Sequence, residues 1–259
     1  MDHFRLLDIA ARLAADAARR ILAVRAAGFA VDAKRDATPV TEADRAAEAL
    51  ILAGLMDATP DIPIIAEEAE EAGAAGRAAP RFWLVDPLDG TREFAAGRDS
   101  FAVCIGLIED GRPVLGAVAL PAHGELFGGI VPAAGGGGGI AWKQDAAGRR
   151  PIAARAIPPE GAVVMASHKY ADDPRNAAFI ARHKVARVVN IGSAEKFCRV
   201  AEGTADLYPR FGATMEWDTA APEALVLAAG GVMAGWDGAA LRYGKPGWTN
   251  PGFLVTGRA

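Results

Sequence analysis

Asp86-Pro87-Leu88-Asp89-Gly90-Thr91 sets two carboxylates three positions apart beside a proline, a glycine and a threonine. Carboxylates this close repel, and both stay ionised only when cations neutralise them. Hard oxygen donors favour magnesium, which keeps some of its waters and bridges to phosphate. Pro87 presets one backbone dihedral and withholds a donor, and Gly90 permits a tight bend that lets a ligand reach the backbone. Thr91 adds a hydroxyl able to orient a water or to cap a following helix. The same six residues also suit an ordinary turn with Asp89-Gly90 at its tip.

Further acidic residues stand far away in the chain. Glu67 and Glu68 follow the apolar run Ile62-Pro63-Ile64-Ile65-Ala66, and Asp218 lies in Glu216-Trp217-Asp218-Thr219-Ala220-Ala221. Carboxylates at the ends of two strands can converge on one sheet edge. Each also has a structural reading. Glu67 and Glu68 could belong to a solvated loop, because Glu70 and Glu71 continue the acidic run. Asp218 could be a helix N-cap. Thr41-Glu42-Ala43-Asp44 has the form of a capping box with Asp in place of Glu, a role for Asp44 that stands beside a functional one.

The elements that position these residues follow from periodicity. Phe82-Trp83-Leu84-Val85 reads as a buried strand ending at Asp86, and Ile62 to Ile65 as another. Leu6, Ile9, Ala10, Leu13, Ala17, Ile21 and Val24 recur at helical spacing, as do Ala43, Ala47, Leu50, Ile51 and Leu55. Phe101 to Ile108 and Pro113 to Leu120 predict strands joined by a hairpin at Asp110-Gly111. Leu126 to Val131 adds a third strand, and Gly135 to Gly139 reads as a loop. In the second half, Ala162 to Ala166, Ala186 to Asn190 and Ala205 to Tyr208 predict strands. Ser193 to Ala201 and Asp218 to Ala229 predict helices, the latter stopped by Gly230-Gly231. The chain divides near Pro151 into 1–150 and 151–259, packed as one compact unit across the short linker at Ile157-Pro158-Pro159-Glu160.

Ala66-Glu67-Glu68, Trp83 to Phe94 and Glu216 to Ala221 together resemble the inositol monophosphatase superfamily of magnesium-dependent, lithium-sensitive phosphatases. Gly192-Ser193, Lys196-Phe197-Cys198, Val200 to Gly203, Asp206 to Gly212 and Asn250-Pro251-Gly252-Phe253 resemble its 3'(2'),5'-bisphosphate nucleotidase branch, of the CysQ type. The similarity runs from about Thr41 to about Phe253. It implies an α/β fold, a layered α-β-α-β-α sandwich of the inositol monophosphatase and fructose-1,6-bisphosphatase type. It implies two or three magnesium ions, held by Glu67, Asp86, the Leu88 carbonyl, Asp89 and Asp218, and inhibition by lithium. Asp44 and Thr91 would position and help deprotonate the attacking water, with Glu67 beside them in the catalytic set. Gly90 and Thr91 would face the phosphate. Ser167, His168, Ser193, Lys196, Arg210 and Asp218 would contact a nucleotide. The implied reaction removes the 3'-phosphate of adenosine 3',5'-bisphosphate by in-line attack of water, with the sulfated form of that nucleotide as a further substrate the branch allows. Ala194-Glu195 and His168-Lys169-Tyr170 depart from the branch's usual sequence, which leaves details of nucleotide recognition open.

Composition bounds the alternatives. Hydrophobic residues are 51% and charged residues 23% of the 259, which excludes a disordered chain. No uninterrupted apolar span of membrane length occurs, and Met1-Asp2-His3-Phe4-Arg5 leads into an amphipathic segment rather than a leader. The expected location is cytoplasmic, with peripheral attachment to the inner membrane's cytoplasmic face compatible with the family. A net charge of −4 argues against nucleic acid as partner. Cys104 and Cys198 sit in apolar runs, and His3, His123, His168 and His183 lack zinc spacing. The remaining rivals are another phosphatase with the same metal core, acting on inositol monophosphate, histidinol phosphate or a sugar phosphate, and a noncatalytic nucleotide- or metal-binding module. The module should lack a metal carboxylate or the water-orienting threonine, and this chain keeps them. Oligomeric state has no sequence signal.

Overall fold

The computed structural model describes residues 1–33, 39–73, 79–133, 139–168 and 173–258. Most of the glycine-rich tip expected at 135–139, and Lys169 and Tyr170, lie outside the described residues. The chain opens with helix α1 (His3–Ala27), whose first turn is capped by the Asp2 carboxylate accepting the Arg5 N–H at 2.8 Å. Short strands β1 (Val31–Ala33) and β2 (Pro39–Thr41) pair antiparallel and lead into α2 (Glu42–Ala58). Next come β3 (Ile64–Ala66), α3 (Glu67–Glu71), β4 (Arg81–Asp89) and α4 (Thr91–Ala95). A meander follows: β5 (Ala102–Glu109), β6 (Arg112–Leu120), β7 (Glu125–Ile130), β8 (Ile140–Asp145) and β9 (Gly148–Pro151). Strands β3 to β9 form one seven-stranded sheet in sequence order, parallel only between β3 and β4. The β5–β6 turn is the expected hairpin. Asp110 and Gly111 both have positive φ, 49° and 72°, which the twist of a two-residue connection requires.

The rest of the chain supplies β10 (Ala162–Ala166), α5 (Pro174–Ala181), β11 (Val185–Asn190), α6 (Glu195–Ala201), β12 (Leu207–Arg210), β13 (Thr214–Met215), α7 (Ala220–Ala228), β14 (Val232–Gly235), β15 (Thr249–Asn250) and β16 (Phe253–Thr256). A second sheet has the order β11-β10-β12-β16-β14, and β13 pairs separately with β15. Helices α1 and α2 cover one face of the seven-stranded sheet, and α7, with α6 beside it, covers the other. The second sheet lies beyond α6, and Phe179 of α5 packs on its outer face against Val164 and Leu207. The layers are therefore α-β-α-β-α, as expected.

Why β4 reads as an unbroken apolar run is now clear: both its faces are buried. Phe82 and Leu84 point to the middle helices, where Phe197, Trp217 and Leu225 meet them. Trp83 and Val85 point to α1 and α2, among Leu6, Leu13, Ile51 and Leu55. The middle layer sits unusually close to the sheet. A Cβ at Gly116 would lie 2.3 Å from the Ala221 carbonyl oxygen, and one at Gly106 would lie 2.7 Å from the Ala221 nitrogen. Only hydrogen fits there, so these two glycines let the start of α7 rest directly on β5 and β6, beside the strand that carries Asp86 and Asp89.

Several elements differ from expectation. The 62–65 strand is Ile64–Ala66, and the 205–208 strand is Leu207–Arg210. Helix α6 starts at Glu195, because Ser193 adopts the left-handed conformation (φ 50°). Helix α7 starts at Ala220 behind Thr219, and Asp218 is not its cap. Strands β1, β2, β8, β9, β13, β14, β15 and β16 and the helices α3, α4 and α5 were not expected.

Candidate active site

The carboxylates gather where β3 and β4 end. Pro87 withholds a donor, and pairing with β5 slips between Asp86 and Asp89: Asp86 sits opposite Cys104 and Asp89 opposite Ala102. The extra residue turns the strand end outward. Asp86 is 2% exposed, and its Oδ1 accepts the Leu88 N–H at 3.0 Å. Gly90 follows with φ 94°, and a Cβ there would lie 3.0 Å from the Ser100 carbonyl and 3.2 Å from the Ser193 Cβ. Both the conformation and the space demand glycine. Glu67 begins α3 at the end of neighbouring β3.

Asp218 arrives from the second half. Its Oδ2 accepts the Met215 N–H at 3.0 Å. The carboxylate thus folds back over its own turn instead of capping α7. A buried polar frame holds that turn. Glu216 is fully buried and accepts from the Gly244 N–H (2.6 Å), the Lys245 N–H (3.1 Å) and the Lys245 ammonium (2.5 Å). The same ammonium donates to Asn250 Oδ1 at 2.7 Å, and the Asn250 amide donates to Thr219 Oγ1 at 2.8 Å. The Tyr243 hydroxyl donates to Glu223, whose carboxyl burial pushes up to about 7.

Electrostatics ties the acids together. Burial lifts the Asp86 carboxyl well above its ordinary range, and Glu67, Asp89 and Asp218 lift it further. Burial likewise lifts Asp218, aided by Asp89 and Glu67. Asp89 is raised by burial, opposed by Lys196, the Ala194 N–H and Arg210. Among the described residues, no three acidic, histidine or cysteine side chains already close on one point as a cage. The donors are nonetheless all oxygen, mutually repelling and largely desolvated. That chemistry fits a hard divalent cation.

The structure answers two readings of Asp44 together. Its Oδ2 accepts the Thr41 N–H (2.7 Å) and hydroxyl (2.6 Å), which is the capping box. Its Oδ1 lies 3.0 Å from the Thr91 hydroxyl, which is also 3.0 Å from the Leu88 carbonyl oxygen. One oxygen fixes the helix start and the other faces the site.

Two connected spaces open at these residues. An outer cleft of about 520 Å³ is walled by Glu67, Asp89, Thr91 and Asp218, with Trp217 and Trp248 opposite. An inner chamber of about 100 Å³ shares Asp89, Ser167, Ser193 and Asp218 with it and adds Lys196, Tyr208, Arg210 and Thr214. The turn before α6 clamps the halves together here. Ala194 N–H donates to Asp89, and Gly192 N–H donates to the Ser100 hydroxyl at 3.2 Å. Lys196 is 3% exposed, and its ammonium donates to the Ser193 carbonyl at 2.6 Å and lies 5.1 Å from the Tyr208 ring. Burial lowers its pKa to about 8, opposed by Asp89, so it remains a cation at neutral pH. Arg210 donates to the Gly212 and Ala213 carbonyls at 3.2 and 3.1 Å.

Of the expected site residues, Glu67, Asp86, Leu88, Asp89, Gly90, Thr91, Asp44 and Asp218 meet at one place, and Ser167, Ser193, Lys196 and Arg210 adjoin it. His168 is exposed and is in neither wall. Reasoning from the sequence missed Ser100, Thr214 and Trp248, single residues in loops or short strands with no local pattern.

The profile of the inositol monophosphatase family matches residues 3–256. The chain is 42% identical over 224 residues to the 3'(2'),5'-bisphosphate nucleotidase CysQ of Salmonella typhimurium, covering 86% of this chain and 87% of that one. It is 39% identical over 254 residues to the corresponding protein of Escherichia coli K12, covering 97% and 99%. The crystal structure of CysQ from Bacteroides thetaiotaomicron superposes with a TM-score of 0.77 at 31% identity, covering 98% of each chain.

Proposed function

The chain belongs to the inositol monophosphatase family, and from that membership we propose that it is a magnesium-dependent 3'(2'),5'-bisphosphate nucleotidase, converting adenosine 3',5'-bisphosphate to AMP and phosphate. The observation that carries the reading is the adjacency of two unlike spaces. An acidic rim suited to cations borders a chamber containing two cationic side chains, Lys196 and Arg210. A substrate with one phosphate uses only the first. A bisphosphate uses both.

Glu67, Asp86, the Leu88 carbonyl, Asp89 and Asp218 would hold two or three magnesium ions. Bound there, magnesium supplies charge that stabilises the phosphoryl and leaving oxygens and makes water a better nucleophile. The remaining work belongs to this chain's own groups. The Thr91 hydroxyl has one proton. Given to Asp44 Oδ1, it leaves the oxygen's lone pairs to accept a hydrogen bond from the attacking water. As that water attacks, its proton passes to Thr91 while Thr91's own passes to Asp44. The capping box fixes the Asp44 carboxylate for this task through its other oxygen. The Gly90 and Thr91 amides face the phosphate being cleaved. Lys196 and Arg210 hold the second phosphate, assisted by Ser167 and Ser193. Residues 1–150 thus supply most metal ligands and 151–259 most nucleotide contacts. Lithium, a small hard cation, would occupy the acidic rim with too little charge. A cytoplasmic location accompanies this reading, and no described helix is long and apolar enough to cross a membrane.

The test is phosphate release from adenosine 3',5'-bisphosphate, 5'-AMP and inositol monophosphate, with magnesium, EDTA or added lithium. Magnesium-dependent, lithium-sensitive preference for the bisphosphate is expected. Lys196→Ala should lose roughly ten- to a hundredfold in kcat/KM on the bisphosphate, the worth of one charge-assisted contact. It should change little on inositol monophosphate. A wild-type preference for inositol monophosphate would reassign the substrate within the family.

A further inference from the structure

Thr214 stands out from the chamber wall. It lies in the two-residue strand β13, whose backbone pairs with Asn250 in β15. Its Oγ1 is buried and, among the described residues, has no hydrogen-bond partner. Nearby polar side chains are satisfied: Asn250 donates to Thr219 and accepts from Lys245. Nothing in the strand demands a hydroxyl at 214. Valine has the same shape and the same preference for extended backbone, without the desolvation penalty of an unpaired hydroxyl. Folded proteins rarely leave such an atom orphaned, and a ligand is one of the few things that complete it.

The neighbours define the ligand. Thr214 lines the inner chamber with Lys196, Arg210, Ser167 and Ser193. Asp89 and Asp218 border the same space, so the chamber's formal charges balance until cations sit on the acidic rim. An anion there needs cationic partners and also neutral donors that do not depend on the rim's charge. A hydroxyl on a short paired strand is such a donor. A volume of about 100 Å³ admits a single phosphate group and little more.

We propose that Thr214 is a specificity-determining residue, its Oγ–H donating to an oxygen of the substrate phosphate that is not cleaved. The assignment rests on the nucleotidase reading above. The test compares wild type, Thr214→Val and Thr214→Ser on adenosine 3',5'-bisphosphate and on 3'-AMP, which lacks the second phosphate. Calorimetry of AMP and adenosine binding and a thermal melt accompany the kinetics. Thr214→Val should lose about tenfold in kcat/KM on the bisphosphate, mainly through KM, and at most about twofold on 3'-AMP. AMP should bind about tenfold more weakly and adenosine unchanged. The melting temperature should hold or rise, since an unpaired buried hydroxyl has been removed. Thr214→Ser should restore bisphosphate kinetics. A wild-type preference for the bisphosphate that survives Thr214→Val overturns the assignment alone, as does an equal loss on both substrates. A wild type with no such preference overturns the nucleotidase reading and this assignment with it.

Discussion

Asp86→Asn is expected to reduce turnover by more than the roughly 10–100-fold that loss of an outer partner of a metal site usually causes, while making the metal-free protein more stable. Asp86 is the most buried of the four proposed carboxylate ligands and the one whose carboxyl is raised by the other three carboxylates. Asparagine keeps the acceptor for the Leu88 N–H and removes the charge. The pH dependence has a defined sign. A carboxyl whose folded pKa lies above its unfolded value of 3.8 binds more protons folded than unfolded between those values. Stability of the metal-free wild type should therefore fall as pH rises through that window, and Asp86→Asn should flatten the fall. Saturating magnesium should reverse the order, favouring wild type. Melting temperatures with EDTA and with magnesium, beside steady-state rates, check this. A folded variant with near wild-type turnover would remove Asp86 from the site.

Thr91→Ala should lower kcat by about 10²–10⁴-fold, the range typical of a positioned proton transfer, while leaving magnesium affinity within a few fold. The hydroxyl carries no charge, and its partners are Asp44 Oδ1 and the Leu88 carbonyl. Its loss also frees Asp44 from the site but not from the helix start, because the capping bonds use the other oxygen. Little stability should therefore be lost. Single-turnover rates at saturating magnesium, set against metal binding by titration, separate the roles. Equal losses in metal affinity and stability, with single-turnover chemistry intact, would make Thr91 a structural residue.

What could be read from the sequence was whatever local chemistry imposed. The apolar stretch of β4, Phe82 to Val85, was legible because a strand buried on both faces carries no polar alternation there, but the strand does not stop at charge as expected: it runs on through buried Asp86 to Asp89. The Asp110-Gly111 turn was legible because few residue pairs tolerate two positive φ values. Asp218 was placed at a helix start, but its carboxylate turns back to Met215, an outcome set by the Glu216–Lys245–Asn250 frame from distant segments. Strand β8 was missed because Lys143 interrupts its pattern. The structure buries that lysine by pairing it with Glu125 and Glu202. Lys196 falls in a predicted helix with no signal of burial, and the docking of α6 over Tyr208 shows it enclosed. Thr214 had no signal at all, since a single threonine announces neither burial nor an empty hydroxyl.

The glycines beneath α7 also bear on how the chain is made. The seven-stranded sheet is complete by Pro151, yet the cover for its inner face is encoded later, ending at Ala228. On a ribosome adding ~5–20 residues per second, the roughly hundred residues from Ile130 to Ala228 take about 5–20 s. For that time Phe82, Leu84, Val118 and Phe127 have no Phe197, Trp217 or Leu225 to rest on. Gly106 and Gly116 bare the backbone at the same place, leaving a smooth apolar groove. The nascent first half is therefore expected to be a client for chaperones and to complete its folding only once α7 has emerged. Ribosome-stalled chains ending at 151 should be captured by a holdase and chains released at 259 should not; equal capture of both would contradict this order of events.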